Sequence, residues 1–306
     1  MKNNFTLEIQ YLKHYQIDKT KWDSAIENSE LSLMYALSWY LDLVSPEWEA
    51  LVYGDYNAVM PLTVKRKYGL RYIIQPNFAQ QLGCFCKEGH SNIQNDFINK
   101  ISELYKYCDI QLNYTNSDIS NYNIQTRINC EIDFSNISQE ILKNYNTNTK
   151  RNIAKANKNK LDIVKDLCIS ELIEFTKRNS IERLTKSQFR ALKRIMLESE
   201  KYGVGKGYCI LNEKKEILAV AFLLSKFNRL TYLASASNAE GKEKRAGFYL
   251  MNELLKLYSE SNMIFDFEGG NLPNTASFYK GFGAEEKEYY GLKINKLPYP
   301  LKWFKS

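Results

Sequence analysis

Residues 263–270 read Met-Ile-Phe-Asp-Phe-Glu-Gly-Gly, and the chain continues through 271–284 as Asn-Leu-Pro-Asn-Thr-Ala-Ser-Phe-Tyr-Lys-Gly-Phe-Gly-Ala. A mostly apolar run meets two carboxylates and then two glycines, which predicts a short strand, Met263 to Phe267, ending in a turn. In an α/β layout, residues just past a strand's C-terminal end line the ligand crevice. On a strand, Asp266 and Glu268 share a face. Paired carboxylates there can act as general base or hold an amine nucleophile in place. Gly269 and Gly270 permit close backbone approach, and with Asn271 they are candidate substrate contacts. A helix from Thr275 to Gly281 is expected next, with Pro273 just before its start and Asn274 or Thr275 as cap. Phe278 and Phe282 fall i,i+4 and belong to a core. Tyr279 points elsewhere, where its hydroxyl can protonate a leaving group or bind a polar atom. Gly283 ends the helix. The plainer reading of the same residues is a strand end with two solvated acids.

Upstream, strands are expected at Gly207–Leu211, Ile217–Ser225 and Arg229–Ala236, then a helix from about Ala246 to Ser261. Helices at Gln139–Asn157, Ile169–Asn179 and Lys186–Tyr202 precede them. The first half has a similar order: helices at Asp18–Asn28 and Tyr35–Val44, strands at Glu49–Tyr53, Ala58–Val64 and Tyr68–Gln75, a helix at Asn92–Tyr107, and a strand at Asp109–Asn113. Each half reads helix, helix, three strands, helix, strand, an internal repeat of order with little repeat of sequence. The boundary is expected near Ser135–Ser138, giving α/β domains at 1–136 and 137–306.

Three strands, a helix, a strand carrying DFEGG and then F-Y-K-G-F-G resemble the C-terminal core of the GNAT acyltransferase superfamily, and more specifically its tandem, FemAB-like branch. Gln139–Lys160, with Y-N-T-N-T-K-R-N-I-A-K-A, resembles the basic helix that opens the second domain there. Asn57–Phe85 is similar to bacterial FemAB-like "GNAT family" proteins. The resemblance covers nearly the whole chain. It implies two tandem GNAT-like domains, each a mixed sheet flanked by helices, with the active crevice between the domains and against the second core. It implies an N-acyltransferase moving an acyl or aminoacyl group from an ester or thioester to an amine, on a cell-envelope precursor, sugar or lipid. Asp266 or Glu268 would orient or deprotonate the amine, Tyr279 would be the leaving-group acid, and backbone N–H groups near Tyr232–Ala236 would hold the oxyanion. Tyr232 and Ser235 would bind the donor, as would Lys244, Arg245 and Gly247, which match the family's pyrophosphate loop. Tyr249 stands where acetyl-CoA-binding members carry a small residue, which favours aminoacyl-tRNA over acyl-CoA as co-substrate. No tightly bound cofactor and no metal is implied.

The net charge is +7, from 42 Lys+Arg against 35 Asp+Glu. Lys143, Lys150, Arg151, Lys155, Lys158 and Lys160 lie within 18 residues that contain no acid, so the other 288 are close to neutral. This excludes a chain that is basic throughout, such as a DNA-coating protein, and marks one local anion site. If Thr149 caps a helix, Arg151, Lys155 and Lys158 share a face beside Lys150, suited to CoA, tRNA or a nucleotide-sugar precursor. Lys65, Arg66, Lys67 and Arg71 read as a solvated turn. Six scattered cysteines read as small buried hydrophobes, and the two histidines are too far apart for a metal site. No apolar run reaches the ~20 residues needed to span a bilayer. A cytoplasmic protein is therefore expected, with peripheral membrane contact open to the aromatic tail 297–304. Two alternatives stay open: a CoA-dependent N-acetyltransferase of a small amine, and a non-catalytic GNAT pair binding RNA or an anionic precursor. Oligomeric state leaves no mark in the sequence.

Overall fold

The computed structural model describes residues 8–87, 92–116, 119, 121–135, 141–180 and 184–299. The expected domain boundary, the start of the Gln139 helix and most of the aromatic tail lie outside these residues. In chain order the elements are β1 (Ile9–Leu12), α1 (Lys19–Glu27), α2 (Ser38–Val44), β2 (Glu49–Tyr53), β3 (Ala58–Leu62), β4 (Val64–Lys67), β5 (Leu70–Ile74), β6 (Phe85–Cys86), α3 (Ile93–Leu104) and β7 (Tyr107–Leu112). Then come β8 (Ile124–Asp133), α4 (Thr147–Ala156), β9 (Asp162–Lys165), α5 (Ile169–Asn179), α6 (Lys186–Lys201), β10 (Gly205–Leu211), β11 (Ile217–Lys226) and β12 (Arg229–Ser237). The last are α7 (Ala239–Glu243), α8 (Ala246–Tyr258), β13 (Ile264–Asp266), α9 (Pro273–Gly281) and β14 (Glu285–Asn295).

Two compact units result. One comprises Met1–Arg127 with Glu288–Ser306, the other Ile128–Lys287. In the first unit, β1, β2, β3 and β6 pair antiparallel. The order β4-β5-β7-β14 forms a mixed set, parallel between β5 and β7. The expected single strand Ala58–Val64 is divided between these two sets. At the break, Thr63 is fully buried and its hydroxyl donates to the carbonyl of Ile74 at 2.7 Å, which bends the chain from β3 into β4. Trp22 and Trp48, both wholly buried, pack with tilted rings whose centroids are 4.6 Å apart. The cluster expected as a solvated turn is also divided. Lys65, Arg66 and Lys67 reach solvent, but Arg71 binds the buried Glu49 and donates to Tyr11 (2.8 Å) and Tyr105 (3.1 Å). A guanidinium close to a desolvated carboxylate and two phenols is a structural pair.

The second unit orders its strands β8-β13-β12-β11-β10-β9. All pairs are antiparallel except β13 with β12. β11, ILAVAFLLSK, is buried over most of its length, as a central strand covered on both faces should be. α8 supplies Leu250, Met251, Leu254 and Leu255 to the core, and Phe265, Phe267 and Phe282 meet them. Five cysteines are buried, whereas Cys168 is exposed just ahead of α5. No helix among the described residues is long and apolar enough to cross a membrane.

Candidate active site

β12 and β13 run side by side from Arg229 opposite Ile264 to Thr231 opposite Asp266. β13 then stops, while β12 continues to Ser237. Beyond Thr231 the edge of β12 that faced β13 has no strand partner among the described residues. β12 also carries a bulge, since Leu223 pairs with Tyr232 and Phe222 with Ala234. The extra residue re-aims the side chains that follow.

At the parting point lies a buried charge network. Asp266 is wholly buried. Its Oδ2 accepts from Arg229 Nη1 at 2.7 Å and its Oδ1 from Asn129 Nδ2 at 2.9 Å. Arg229 Nη1 also donates to Glu131 Oε1 at 2.7 Å, and Asn129 Nδ2 to the same oxygen at 3.0 Å. Burial and then the neighbouring Asp266 charge raise the Glu131 carboxyl, with Arg229 opposing.

Asp266 accepts a third bond, at Oδ1, from the backbone N–H of Glu268 at 2.9 Å. That bond ends the strand, and Glu268 turns at φ 49° in the left-handed region. The two carboxylates are therefore related by a turn and not by strand alternation, as the sequence had led us to expect. A non-glycine residue held there is strained and marks a site that the surroundings over-determine. Its Oε1 is sealed from solvent without a hydrogen-bond partner among the described residues. Burial first, and the Asp266 charge second, push the Glu268 carboxyl well above its ordinary value, with Arg229 again opposing.

Aromatic rings surround this turn. Phe267 stacks on Tyr279 with centroids 4.4 Å apart, and Tyr232 lies edge-on to Tyr279 at 6.5 Å. Burial pushes the Tyr232 phenol up to about 12 despite a hydrogen bond with Ser235. A Cβ on Gly269 would come within 3.0 Å of the Tyr279 ring, so the glycine admits the tyrosine beside the turn. A Cβ on Gly270 would meet the Ile128 carbonyl at 2.7 Å. Asn271 pins the same residue, accepting from Ile128 N at 3.0 Å and donating to Ile128 O at 3.1 Å. α9 begins at Pro273 itself, with Leu272 as its extended cap residue, so neither Asn274 nor Thr275 caps it. Phe278 and Phe282 pack against Phe248 of α8.

The basic helix α4 is capped by Asn146, which accepts from Thr149 N at 2.8 Å. Thr149, expected as the cap, is buried inside the first turn. Lys150, Arg151, Lys155 and Lys158 are all exposed. Arg151 donates to Asn148 at 3.0 Å and Lys150 to the Lys143 carbonyl at 3.3 Å. α4 packs on α8. Asn159, just beyond α4, donates to Lys155 O at 2.9 Å and Lys244 O at 3.5 Å, tying the basic helix to the turn that opens α8. Lys244 pairs with Glu240 at 2.7 Å. Arg245 is left-handed at φ 60°, with no side-chain cap, and its Nε is buried without a partner among the described residues. Beside Gly247 there is room: an added Cβ would find only Ser237 Oγ, at 3.5 Å. A cavity of about 510 Å³ runs from Gly270 and Asn271 along Ala276, Ser277 and Lys280 of α9 to Asn146.

The expected site residues thus form two groups. Asp266, Glu268, Gly269, Tyr279 and Tyr232 gather at the strand divergence. Lys155 and Lys158 lie at the end of α4 that Asn159 ties to Lys244, the residue before Arg245. Glu131, Arg229 and Asn129 escaped sequence reasoning, because their partners lie as far as 137 residues away and nothing local distinguishes them. Among the described residues no group of His, Cys, Asp and Glu could hold a metal ion.

No protein-family model matches this chain, and no curated protein does. Solved structures match over nearly its whole length. FemX is 12% identical, with 98% of this chain and 100% of that chain covered and a TM-score of 0.65. L-PGS from Bacillus licheniformis is 10% identical, covering 94% and 95%, with a TM-score of 0.59. A tandem GNAT protein from the clavulanic acid biosynthesis pathway is 10% identical, covering 95% and 99%, with a TM-score of 0.54. The chain therefore shares its tandem α/β fold with FemX and with a tandem GNAT protein.

Proposed function

We propose that this chain is an N-acyltransferase that moves an acyl or aminoacyl group from an activated ester or thioester to an amine. The observation that carries the reading is Glu268: a carboxyl without a partner on its buried oxygen, at a strained turn where two parallel strands part. Three carboxyls face one guanidinium, and they cannot all ionise cheaply in a desolvated site. Arg229 and Asn129 satisfy Asp266 and Glu131, which leaves Glu268 to hold its proton above the ordinary carboxyl range.

The donor carbonyl lies along the free edge of β12 past Thr231, where backbone N–H groups receive the oxyanion. The amine nitrogen bonds to the carbonyl carbon, and the bond to the departing oxygen or sulfur breaks. Glu268 gives its proton to the leaving group. The resulting carboxylate takes the proton that the amine sheds, which restores the resting state. Tyr279, beside the turn, lines the leaving group's path and is the second proton donor. Asp266 and Arg229 hold the turn without touching substrate. The α4 cations with Lys244 and Arg245 hold the donor's phosphates, and Gly269, Gly270 and Asn271 border the substrate.

The basic row on α4 favours a polyanionic donor such as aminoacyl-tRNA. A CoA thioester is the second reading, favoured by the open space beside Gly247. Labelled aminoacyl-tRNA and acetyl-CoA, each offered with a panel of amines, separate the two. Glu268→Gln is expected to lower transfer about 10²–10⁴-fold, the usual contribution of a positioned acid–base group. Undiminished transfer in that variant removes Glu268 from the chemistry. Binding of tRNA with no transfer from either donor favours a non-catalytic role.

A further inference from the structure

The tip of the β4–β5 hairpin is built in a way that its own fold does not require. β4 and β5 are joined by the two-residue loop Tyr68-Gly69, with φ of 51° and 74°. Positive φ at both central residues is the type I′ turn, for which Asn-Gly is the residue pair of least strain. Here the first place is taken by tyrosine, whose bulk disfavours the left-handed region. The ring gains almost nothing in the folded chain. It is 96% exposed, with the ammonium of Lys67 5.3 Å from the ring centroid. Behind the apex stand Lys65, Arg66 and Lys67 on β4. None of the three forms an ion pair among the described residues, whereas Arg71, opposite Arg66, is committed to Glu49.

We propose that this hairpin tip is a docking finger for an anionic membrane surface. An amphipathic ring at the apex of a narrow turn suits the headgroup level of a bilayer, where tyrosine is enriched. Long cationic side chains one to three residues behind it meet the anionic headgroups while their stems lie along the interface. Single-stranded nucleic acid is the poorer fit. Its readers offer several rings along a basic groove, and here one ring stands alone on a point.

The test is partition of the whole chain onto vesicles of phosphatidylcholine with about 30% phosphatidylglycerol, against phosphatidylcholine alone. Each cation near such a surface is worth about fivefold in binding. The triple variant Lys65→Gln, Arg66→Gln, Lys67→Gln should therefore bind the anionic vesicles about 100-fold less well. A charge-matched control on the exposed side of α6 (Lys186→Gln, Arg190→Gln, Lys193→Gln) should bind as the parent does. Tyr68→Trp should show a blue-shifted emission with the anionic vesicles only. All these side chains are at the surface, and unchanged melting curves confirm folding. Three results would overturn the proposal: no binding by the parent chain, equal binding by the hairpin and control variants, or a hairpin triple that loses tRNA and keeps the vesicles.

Discussion

Glu268 and Arg229 carry opposite consequences of burial. A carboxyl whose pKa is raised on folding holds its proton more tightly in the folded chain. Glu268 therefore supports the fold fully below its ordinary value of 4.5 and loses that support as pH rises through the folded value. Gln carries no proton to lose. Chemical denaturation of Glu268→Gln should show a smaller loss of stability than the parent as pH rises above 4.5 through the folded value, while transfer falls as stated above. An equal loss in both would place the Glu268 carboxyl in solvent. Arg229 is the reverse case, since its removal leaves Asp266 and Glu131 buried without compensation. Arg229→Met should cost about 3–5 kcal/mol, the range for breaking one partner of a buried pair, read as a lower urea midpoint. A change below about 1 kcal/mol would mean that the network is wet. Of these two residues the sequence announced only one. Glu268 stood out because it follows an apolar run and precedes two glycines. Arg229 sits in an ordinary strand sequence, and its importance arises from β8 and β13 being neighbours, a fact of pairing rather than of pattern.

At the scale of elements, periodicity located most helices and strands, but it missed the short β6, β9 and α7 and misplaced several breaks and ends. The helix expected from Gln139 to Asn157 is, over its described part, a 3-10 turn at Ile141–Asn144 followed by α4. The break falls at Asn146, whose side chain caps the new helix and whose backbone N–H bonds the Gly281 carbonyl at 3.0 Å. Gly281 is needed there, because a Cβ would strike Thr149 Oγ1 at 2.5 Å. Asn146 thus joins the start of the basic helix to the end of α9. Asn146→Ala should cost about 1 kcal/mol from the lost cap. It should also raise the concentration needed to saturate with the anionic donor more than it lowers turnover, since the cap positions α4 and leaves the Glu268 turn intact. A fall in turnover alone would show that α4 plays no part in binding. Ala58–Val64 was misread for a similar reason: one buried Thr63 hydroxyl bends an uninterrupted apolar run, and hydropathy does not register a bend.

Across the whole molecule, the net charge of +7 resolves into places with different partners. Six cations lie between Lys143 and Lys160, three more stand behind Tyr68, and several others, Arg71 and Arg229 among them, are consumed in internal pairs. The sequence disclosed the first cluster by density. It could not separate Arg71 from Lys65, Arg66 and Lys67, because only the fold brings Glu49 beside one of the four. Salt dependence distinguishes the clusters in solution. Each phosphate that a cation neutralises contributes about −0.9 to the slope of log K against log salt on duplex nucleic acid and about −0.7 on single strands. Replacing Arg151, Lys155 and Lys158 by Gln should therefore flatten the slope for tRNA by about 2 to 3. The same change on Lys65, Arg66 and Lys67 should leave that slope alone, since their assigned partner is a lipid surface. Fluorescence anisotropy of labelled tRNA between roughly 50 and 200 mM salt measures both. Equal flattening by the two triples would mean that the charge acts as one diffuse field, and neither cluster would then be a site.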